Sequence, residues 1–375
     1  MPDNTKIHNP SGKKRIVVTK MLPGEKWLDT LIKAGYRVEV SSTTEGIISK
    51  AGLLELIGDD CTGVMGQLTE TWDAELFEAL KKAGGKIYCN YAVGYDNVDV
   101  EAATEHGIAI GNTPGVLTET TAEMAVALTM ASARRIVEAD SYTREGKFDG
   151  WLPGLFLGEL LHGKTVGIVG AGRIGSSYAM MMVQGFRMNL IYHSRSEKTE
   201  LEKRVEGYNS YLKEQNLKPV EQKKAESLEE LLQNSDVVSL HVPLSNETHH
   251  LIGAAELNIM KENAILINTS RGPVIHEAEL IRHCRENKNF RAGLDVFEHE
   301  PEVPDEMKNL PNITMAPHIG SATNWTREGM ALLAALNIKG VTEGFPLWNR
   351  EDMKPFIGEN PPEEIPSVVN PGMLK

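Results

Sequence analysis

Lys164 to Ser177 reads KTVGIVGAGRIGSS, a short apolar run leading straight into Gly170-Ala171-Gly172-Arg173-Ile174-Gly175. This G-x-G-x-x-G pattern allows few folds, because each glycine answers a separate backbone demand. Gly170 permits a tight strand-to-helix turn, Gly172 lets backbone approach a pyrophosphate, and Gly175 lets helix and strand pack closely. Arg173 and Ile174 then open a helix whose free N–H groups and positive dipole end face the phosphates. A lone glycine pattern is weak, but a preceding apolar strand and the helix-forming Ser176 to Val183 make it the signature of a dinucleotide site.

The rest of the chain suits that turn. At 375 residues it has length for two domains, each with its own core. A formal net charge of −13 argues against a nucleic-acid surface, and no basic block offsets it. Cys61, Cys89 and Cys284 are scattered without metal-like spacing, so buried thiols in a reducing compartment are expected, and no metal site. Residues 1 to 14 hold no apolar signal-peptide core, and no run approaches the roughly 20 apolar residues of a membrane span. A soluble, cytoplasmic protein with no membrane and no nucleic-acid partner is expected.

Arg15–Thr19, Tyr36–Val40, Gly63–Leu68, Lys86–Tyr91 and Gly107–Ile110 read as strands. Helical spacing lies between them at Gly24–Gly35, Ile47–Ile57, Trp72–Ala83 and Val100–His106. This alternation predicts a parallel sheet covered on both faces. A long helix over Thr118–Arg135 carries the capping pattern Thr120-Thr121-Ala122-Glu123, and Trp151–Gly158 is an apolar Gly/Pro loop. After the glycine turn come strands at Met188–Tyr192, Val237–Val242, Ala264–Asn268, Arg291–Phe297 and Ile313–Ala316. Leu201–Lys224 reads as a charged, solvated helical connector, Glu328–Glu343 as a terminal helix and Pro355–Lys375 as irregular. Met180–Met182 reads as core packing behind the turn.

The second strand after the glycines ends Tyr192-His193-Ser194-Arg195-Ser196, where an NAD site usually carries an acidic residue for the ribose hydroxyls. No carboxylate stands there to repel a 2′-phosphate, while Ser194 and Arg195 can both donate to one. NADPH is therefore the expected cofactor, with NADH possible.

Three later segments each follow a strand, on the usual ligand edge of such a sheet. Asn268-Thr269-Ser270-Arg271-Gly272 offers a guanidinium that can fork onto a carboxylate and a keto oxygen. Gly293 to Pro301 (GLDVFEHEP) offers carboxylates, and Ala316 to Ser321 (APHIGS) offers His318. Arginine, carboxylate and histidine on neighbouring strand ends suit reduction of a 2-keto acid. Arg271 would orient the substrate, His318 would donate the proton, and a carboxylate would hold the imidazolium aligned.

Gly170 to Gly175, TSRG at Thr269–Gly272, GLDVFEHEP and PHIGSAT at Pro317–Thr323, in this order, resemble the D-isomer-specific 2-hydroxyacid dehydrogenases. GQLTE at Gly66–Glu70, NYAVGYDNVDV at Asn90–Val100 and WTREGMALLAALN at Trp325–Asn337 narrow the likeness to the plant-type hydroxypyruvate/glyoxylate reductases. The resemblance implies that Arg271 binds substrate, His318 is the general acid and Glu300 its carboxylate partner, leaving Glu298 and His299 outside the catalytic set. It implies substrate-carboxylate binding by backbone N–H groups of Val93 and Gly94, and nicotinamide contact by Asp295. It also implies that Trp151 reaches into the active site of the partner subunit of a homodimer, as a substrate contact. Gln67 joins the expected substrate contacts, and Pro243, Thr269 and Gly320 the expected cofactor contacts. The plant-type enzymes carry an acidic residue where Ser194 stands and end in a peroxisomal tripeptide, whereas this chain ends Gly372-Met373-Leu374-Lys375. Their NADH preference is therefore not carried over, and a peroxisomal location is expected only for a truncated form.

The expected architecture is α/β, with two doubly wound parallel-sheet lobes: a flavodoxin-like substrate domain (1–118 and 327–375) and a Rossmann cofactor domain (119–326). The active site is expected in the cleft between them. The expected activity is reduction of hydroxypyruvate to D-glycerate and of glyoxylate to glycolate. The alternatives are a broad D-lactate-type 2-keto-acid reductase and a non-catalytic dinucleotide-sensing protein. Formate dehydrogenase chemistry is disfavoured by Glu300, and a phosphoglycerate dehydrogenase with a regulatory extension by the short sequence after His318.

Overall fold

The computed structural model describes residues 5–374, which divide into two compact units. One unit runs to Leu117 and resumes at Ala322, and the other is Thr118–Ser321.

The first unit is built on strands β1 (Thr5–His8), β2 (Lys14–Val18), β3 (Tyr36–Ser41), β4 (Gly63–Gly66), β5 (Ile87–Asn90) and β6 (Ala109–Gly111), in the order β1-β3-β2-β4-β5-β6. From β3 to β6 all pairings are parallel, in the flavodoxin-like order. The polar Thr5–His8, not anticipated from sequence, adds an antiparallel edge to β3. Such an edge strand needs no alternating apolar pattern, since it borders solvent, and its half-exposed residues show none. Trp72, Leu76, Phe77 and Tyr88 are fully buried on one face.

The helix Asn324–Glu343 completes this unit, with Ala331, Leu333, Ala334, Ala335, Asn337 and Ile338 all fully buried. Asn337 spends its amide on the Asn112 carbonyl (2.9 Å) and accepts from the Ser367 N–H (2.8 Å). Asn370 similarly accepts from the Ile110 N–H and donates to the Ile108 carbonyl. The C-terminal stretch read as irregular is thus pinned by side-chain amides, with Phe356 and Ile365 in the core.

The second unit contains β7 (Thr165–Val169), β8 (Asn189–His193), β9 (Gln222–Lys224), β10 (Val237–Leu240), β11 (Ile265–Asn268), β12 (Arg291–Leu294) and β13 (Ile313–Met315). Their order is β13-β12-β11-β10-β7-β8-β9, and every pairing is parallel. Chain order reverses between β7 and β10, the switch point where doubly wound sheets bind ligands. Val166, Ile168, Val237, Ile265 and Ile267 are buried in the core on one face of the sheet and Val169, Val238, Leu240 and Leu266 in the core on the other, as their continuous apolar runs require.

Two expectations for this unit need correction, and one helix was not anticipated. The long helix spans Thr118–Ala133, so Thr120 is its third residue and not its cap. A second helix, Ile136–Arg144, follows at once. Leu201–Lys224 is no solvated connector: in the helix Thr199–Glu214, Leu201, Val205 and Leu212 face the core, and Gln222–Lys224 forms β9. These three apolar positions share one helical face, and the charges between them concealed it.

Candidate functional site

In the second unit all strands are parallel, so the segments following β7, β8, β11, β12 and β13 emerge on one edge of the sheet. Gly170 leaves β7 with φ +89°, a left-handed conformation that glycine adopts without strain. A Cβ at Gly175 would sit 2.4 Å from the Gly170 carbonyl oxygen, so the helix Arg173–Phe186 starts as close to the turn as backbone allows. At Gly172, by contrast, a Cβ would meet nothing within 4 Å. The turn is tight underneath and open above, the shape a pyrophosphate needs. The Thr269 hydroxyl and His193 Nδ1 are buried and unpartnered among the described residues. The residues present fit a dinucleotide.

Ser194 is half-buried and Arg195 exposed where β8 ends. Arg195 adds to the lowering of the Glu247 pKa, after the Ser245 hydroxyl and local backbone. The exposed Pro243 carbonyl accepts from the Thr248 hydroxyl at 2.6 Å. His241, not singled out from sequence, lies between β10 and Pro243 with its ring 5.3 Å from Tyr178 and its Nε2 2.9 Å from the Ser239 hydroxyl. Burial lowers its pKa to about 3, so it is neutral near pH 7 behind the glycine turn. A histidine directly after the apolar run VVSL was the available signal.

Buried Asn268 organises the turn after β11. Its Oδ1 accepts from the Ser270 N–H (3.0 Å) and hydroxyl (2.8 Å), while its Nδ2 donates to the Arg271 carbonyl (2.8 Å). The Arg271 guanidinium donates to the Ser270 carbonyl at 2.8 Å. Gly272 then lies against the next loop so closely that a Cβ would fall 1.8 Å from the Phe297 carbonyl oxygen.

After β12, Asp295 is almost fully buried and grips the following turn. Its Oδ1 accepts from the Ile319 N–H (2.8 Å), its Oδ2 from the Gly320 N–H (2.6 Å), and its carbonyl from the His318 N–H (2.8 Å). Burial raises the Asp295 pKa, partly offset by those two N–H groups and by the His318 charge. Both carboxylate oxygens therefore already serve the 318–320 backbone, each keeping one lone pair.

His318 has φ +55°, a left-handed setting unusual for a β-carbon-bearing residue. Its Nδ1 lies 2.7 Å from Glu300 Oε2, and Glu300 Oε1 accepts from the Phe297 N–H at 3.0 Å. Burial alone would raise the Glu300 pKa. The His318 hydrogen bond and charge, then the Phe297 N–H and the Arg271 charge, outweigh it and hold the carboxyl below the ordinary range. Among described residues no cluster of histidine, cysteine or acidic groups could hold a metal. Trp151 is not drawn to this edge; it is 83% exposed, in an apolar loop with Leu152, Leu157 and Leu160 also exposed.

In the first unit the turns after β4 and β5 carry Gln67, Val93 and Gly94. The Val93 carbonyl accepts from Asn112 Nδ2 (2.9 Å) and the Gly94 carbonyl from Asn90 Nδ2 (2.8 Å). Their N–H groups have no hydrogen-bond partner among the described residues. Gln67 Nε2 is likewise buried and unpartnered. These three donors are left without a protein acceptor among the described residues.

A parallel sheet with a glycine turn at its switch point and an acid–base pair on the same edge has the layout of a dinucleotide-dependent oxidoreductase. Residues 126–320 match the family described as D-isomer specific 2-hydroxyacid dehydrogenase, NAD binding domain. The peroxisomal glycerate dehydrogenase HPR of Arabidopsis thaliana is 54% identical over 374 residues, covering 98% of this chain and 96% of that protein. A glyoxylate reductase from Thermococcus litoralis is 43% identical, covering 88% and 95%. The solved NADPH-dependent glyoxylate/hydroxypyruvate reductase from Sinorhizobium meliloti, in complex with NADP and malonate, superposes with a TM-score of 0.72 at 27% identity, covering 89% and 95%. The chain belongs to the D-isomer-specific 2-hydroxyacid dehydrogenases, a family of oxidoreductases.

Proposed function

We propose that this protein reduces hydroxypyruvate to D-glycerate and glyoxylate to glycolate. The observation that carries the reading is the 2.7 Å His318–Glu300 pair on the same sheet edge as the Arg271 turn and the Gly170 turn. The names of the Arabidopsis and Thermococcus relatives support the substrate class.

In this reading Gly170, Gly172 and Gly175, with the helix they open, hold the pyrophosphate. Ile174, Pro243, Thr269, Asp295 and Gly320 complete the cofactor contacts. The bound reduced nicotinamide supplies the hydride. Arg271 binds the substrate and draws electron density onto its keto oxygen. Unpartnered N–H groups at Val93 and Gly94, with Gln67, hold the substrate carboxylate. His318, protonated and aligned through Nδ1 by Glu300, gives its Nε2 proton to the keto oxygen as negative charge builds there. In the reverse direction the same nitrogen takes the proton from the hydroxyl.

NADPH is the preferred cofactor in this reading, because Ser194 and Arg195 can donate to a 2′-phosphate that an acidic residue would repel. The NADP-bound Sinorhizobium structure supports this. The exposed apolar loop around Trp151, with exposed Ile136 and Val137, supports a homodimer in which Trp151 reaches the partner. The location proposed is cytoplasmic. Among the described residues no helix is long and apolar enough to cross a membrane.

The test is initial-rate oxidation of NADPH and of NADH with hydroxypyruvate, glyoxylate and pyruvate. The reading expects hydroxypyruvate and glyoxylate to exceed pyruvate in kcat/KM, with NADPH preferred. Preference for pyruvate would establish the broad reductase instead, and no turnover with any of them would refute an active keto-acid reductase.

A further inference from the structure

We propose that Glu298, outside the catalytic set, is the positioning residue that sets where Glu300 stands, through a clamp made with Glu277 and His250. The proposal rests on the reading of Glu300 as the partner of His318.

Glu300 lies in the loop after β12, and no regular element holds that loop from within. Within the loop the Glu302 N–H donates to the His299 carbonyl at 2.9 Å, and the Glu300 side chain itself is anchored through Oε1, which accepts from the Phe297 N–H at 3.0 Å. Where Glu300 points thus depends on where the Phe297–Glu298 peptide is fixed, and three groups fix it from outside. Glu298 Oε2 accepts from the Glu277 N–H at 3.0 Å, while Glu277 Oε2 accepts from the Glu298 N–H at 3.1 Å. This reciprocal pair joins the loop to the first residue of the helix Glu277–Glu286, whose positive end favours the carboxylate. Glu298 Oε1 takes the third bond, from His250 Nε2 at 2.6 Å.

The anchors are themselves fixed. The His250 ring lies 3.9 Å from His249 and 4.4 Å from His276, and the His250 backbone N–H donates to the Pro273 carbonyl at 2.8 Å. Glu277 is buried. On the other side Gly272 presses its Cα against the same Phe297–Glu298 peptide. The loop is gripped between the Arg271 turn and the Glu277 helix, so one peptide registers both catalytic loops.

Glu298 has its two carboxylate oxygens taken by His250 and the Glu277 N–H, whereas the His318 ring is met by Glu300. The influence of Glu298 runs through the 297–298 backbone alone. Burial would raise its pKa; the His250 bond and the Glu277 N–H reverse that, so the carboxylate is held ionised, as the clamp requires. A loop carrying an acid–base partner loses rate steeply when displaced by about 1 Å.

The test compares Glu298→Ala, Glu298→Gln and Glu300→Gln in the full-length protein, with NADPH and hydroxypyruvate. Rates are expressed per cofactor-binding site, counted by NADPH fluorescence titration, so that unfolded protein does not enter. The expected result is a tenfold or greater fall in kcat for Glu298→Ala with unchanged NADPH affinity. Its pH–rate profile should move toward that of Glu300→Gln. Glu298→Gln should recover most of the rate, because its amide oxygen still accepts the Glu277 N–H. A large loss in Glu300→Gln with full kcat in Glu298→Ala overturns the positioning role alone. No loss in Glu300→Gln overturns the Glu300 reading and the positioning role together.

Discussion

Replacing Gly272 with alanine tests how closely the Arg271 and Glu300 loops depend on one another. The added Cβ would fall 1.8 Å from the Phe297 carbonyl oxygen, 1.9 Å from its carbon and 2.5 Å from the Glu298 nitrogen. All three are backbone atoms, so no rotamer change can relieve the contact. Restoring an ordinary separation of about 3.5 Å requires the loops to part by roughly 1.7 Å. Overpacking of this kind costs typically ~1–3 kcal/mol, and the upper end applies where only backbone can yield. For a unit of this size about 3 kcal/mol lowers Tm by roughly 6–12 °C. The functional loss is expected to be larger, because Arg271 and Glu300 move apart together. A 1 Å misplacement alone can cost ~100-fold. Differential scanning calorimetry with kcat/KM per cofactor-binding site measures both effects. A Gly272→Ala protein with Tm within about 2 °C of wild type and kcat/KM within about threefold would refute the packing argument.

The other glycine turn predicts the opposite pattern. Gly172→Ala should leave Tm unchanged, since its Cβ meets nothing within 4 Å, yet weaken NADPH binding about tenfold or more by intruding on the pyrophosphate; calorimetry and fluorescence titration separate the two. Ser194→Asp should reduce kcat/KM with NADPH by about 100-fold and favour NADH, because like charges ~4 Å apart near a protein surface repel by up to ~4 kcal/mol. The Glu300 carboxyl titrates below its ordinary 4.5. Its ionised form therefore adds stability above about pH 4.5 that is lost as pH falls through the lower folded-state value. Glu300→Gln should accordingly lower Tm near neutrality and flatten its decline in acid, followed by thermal melts from about pH 6 to 3.

How much of this was legible in the sequence depends on how local each signal is. Gly170 to Gly175 is a contiguous run whose strand, turn and helix are dictated by neighbours a few residues away, and it could be read without tertiary context. The edge strands β1 and β9 could not be. Thr5–His8 and Gln222–Lys224 are polar and short, and only the adjacent strand makes them strands. Leu201, Val205 and Leu212 carry a helical period that the charges around it mask. In GLDVFEHEP, spacing alone cannot distinguish Asp295, Glu298 and Glu300, since all three follow one strand. The fold separates them: Asp295 faces the 318–320 backbone, Glu298 faces His250, and Glu300 faces the His318 ring. The Gly272 contact was also invisible, because it joins residues 25 positions apart that only adjacent parallel strands bring together.

The central claim is that His318 is the proton donor for keto-acid reduction. It is tested most directly by the turnover of His318→Gln with NADPH and hydroxypyruvate, alongside NADPH affinity in the same preparation. A positioned general acid contributes about 10²–10⁴-fold, so kcat should fall by that factor while the NADPH dissociation constant stays within about twofold. Turnover within about tenfold of wild type, at unchanged cofactor affinity, would contradict the account.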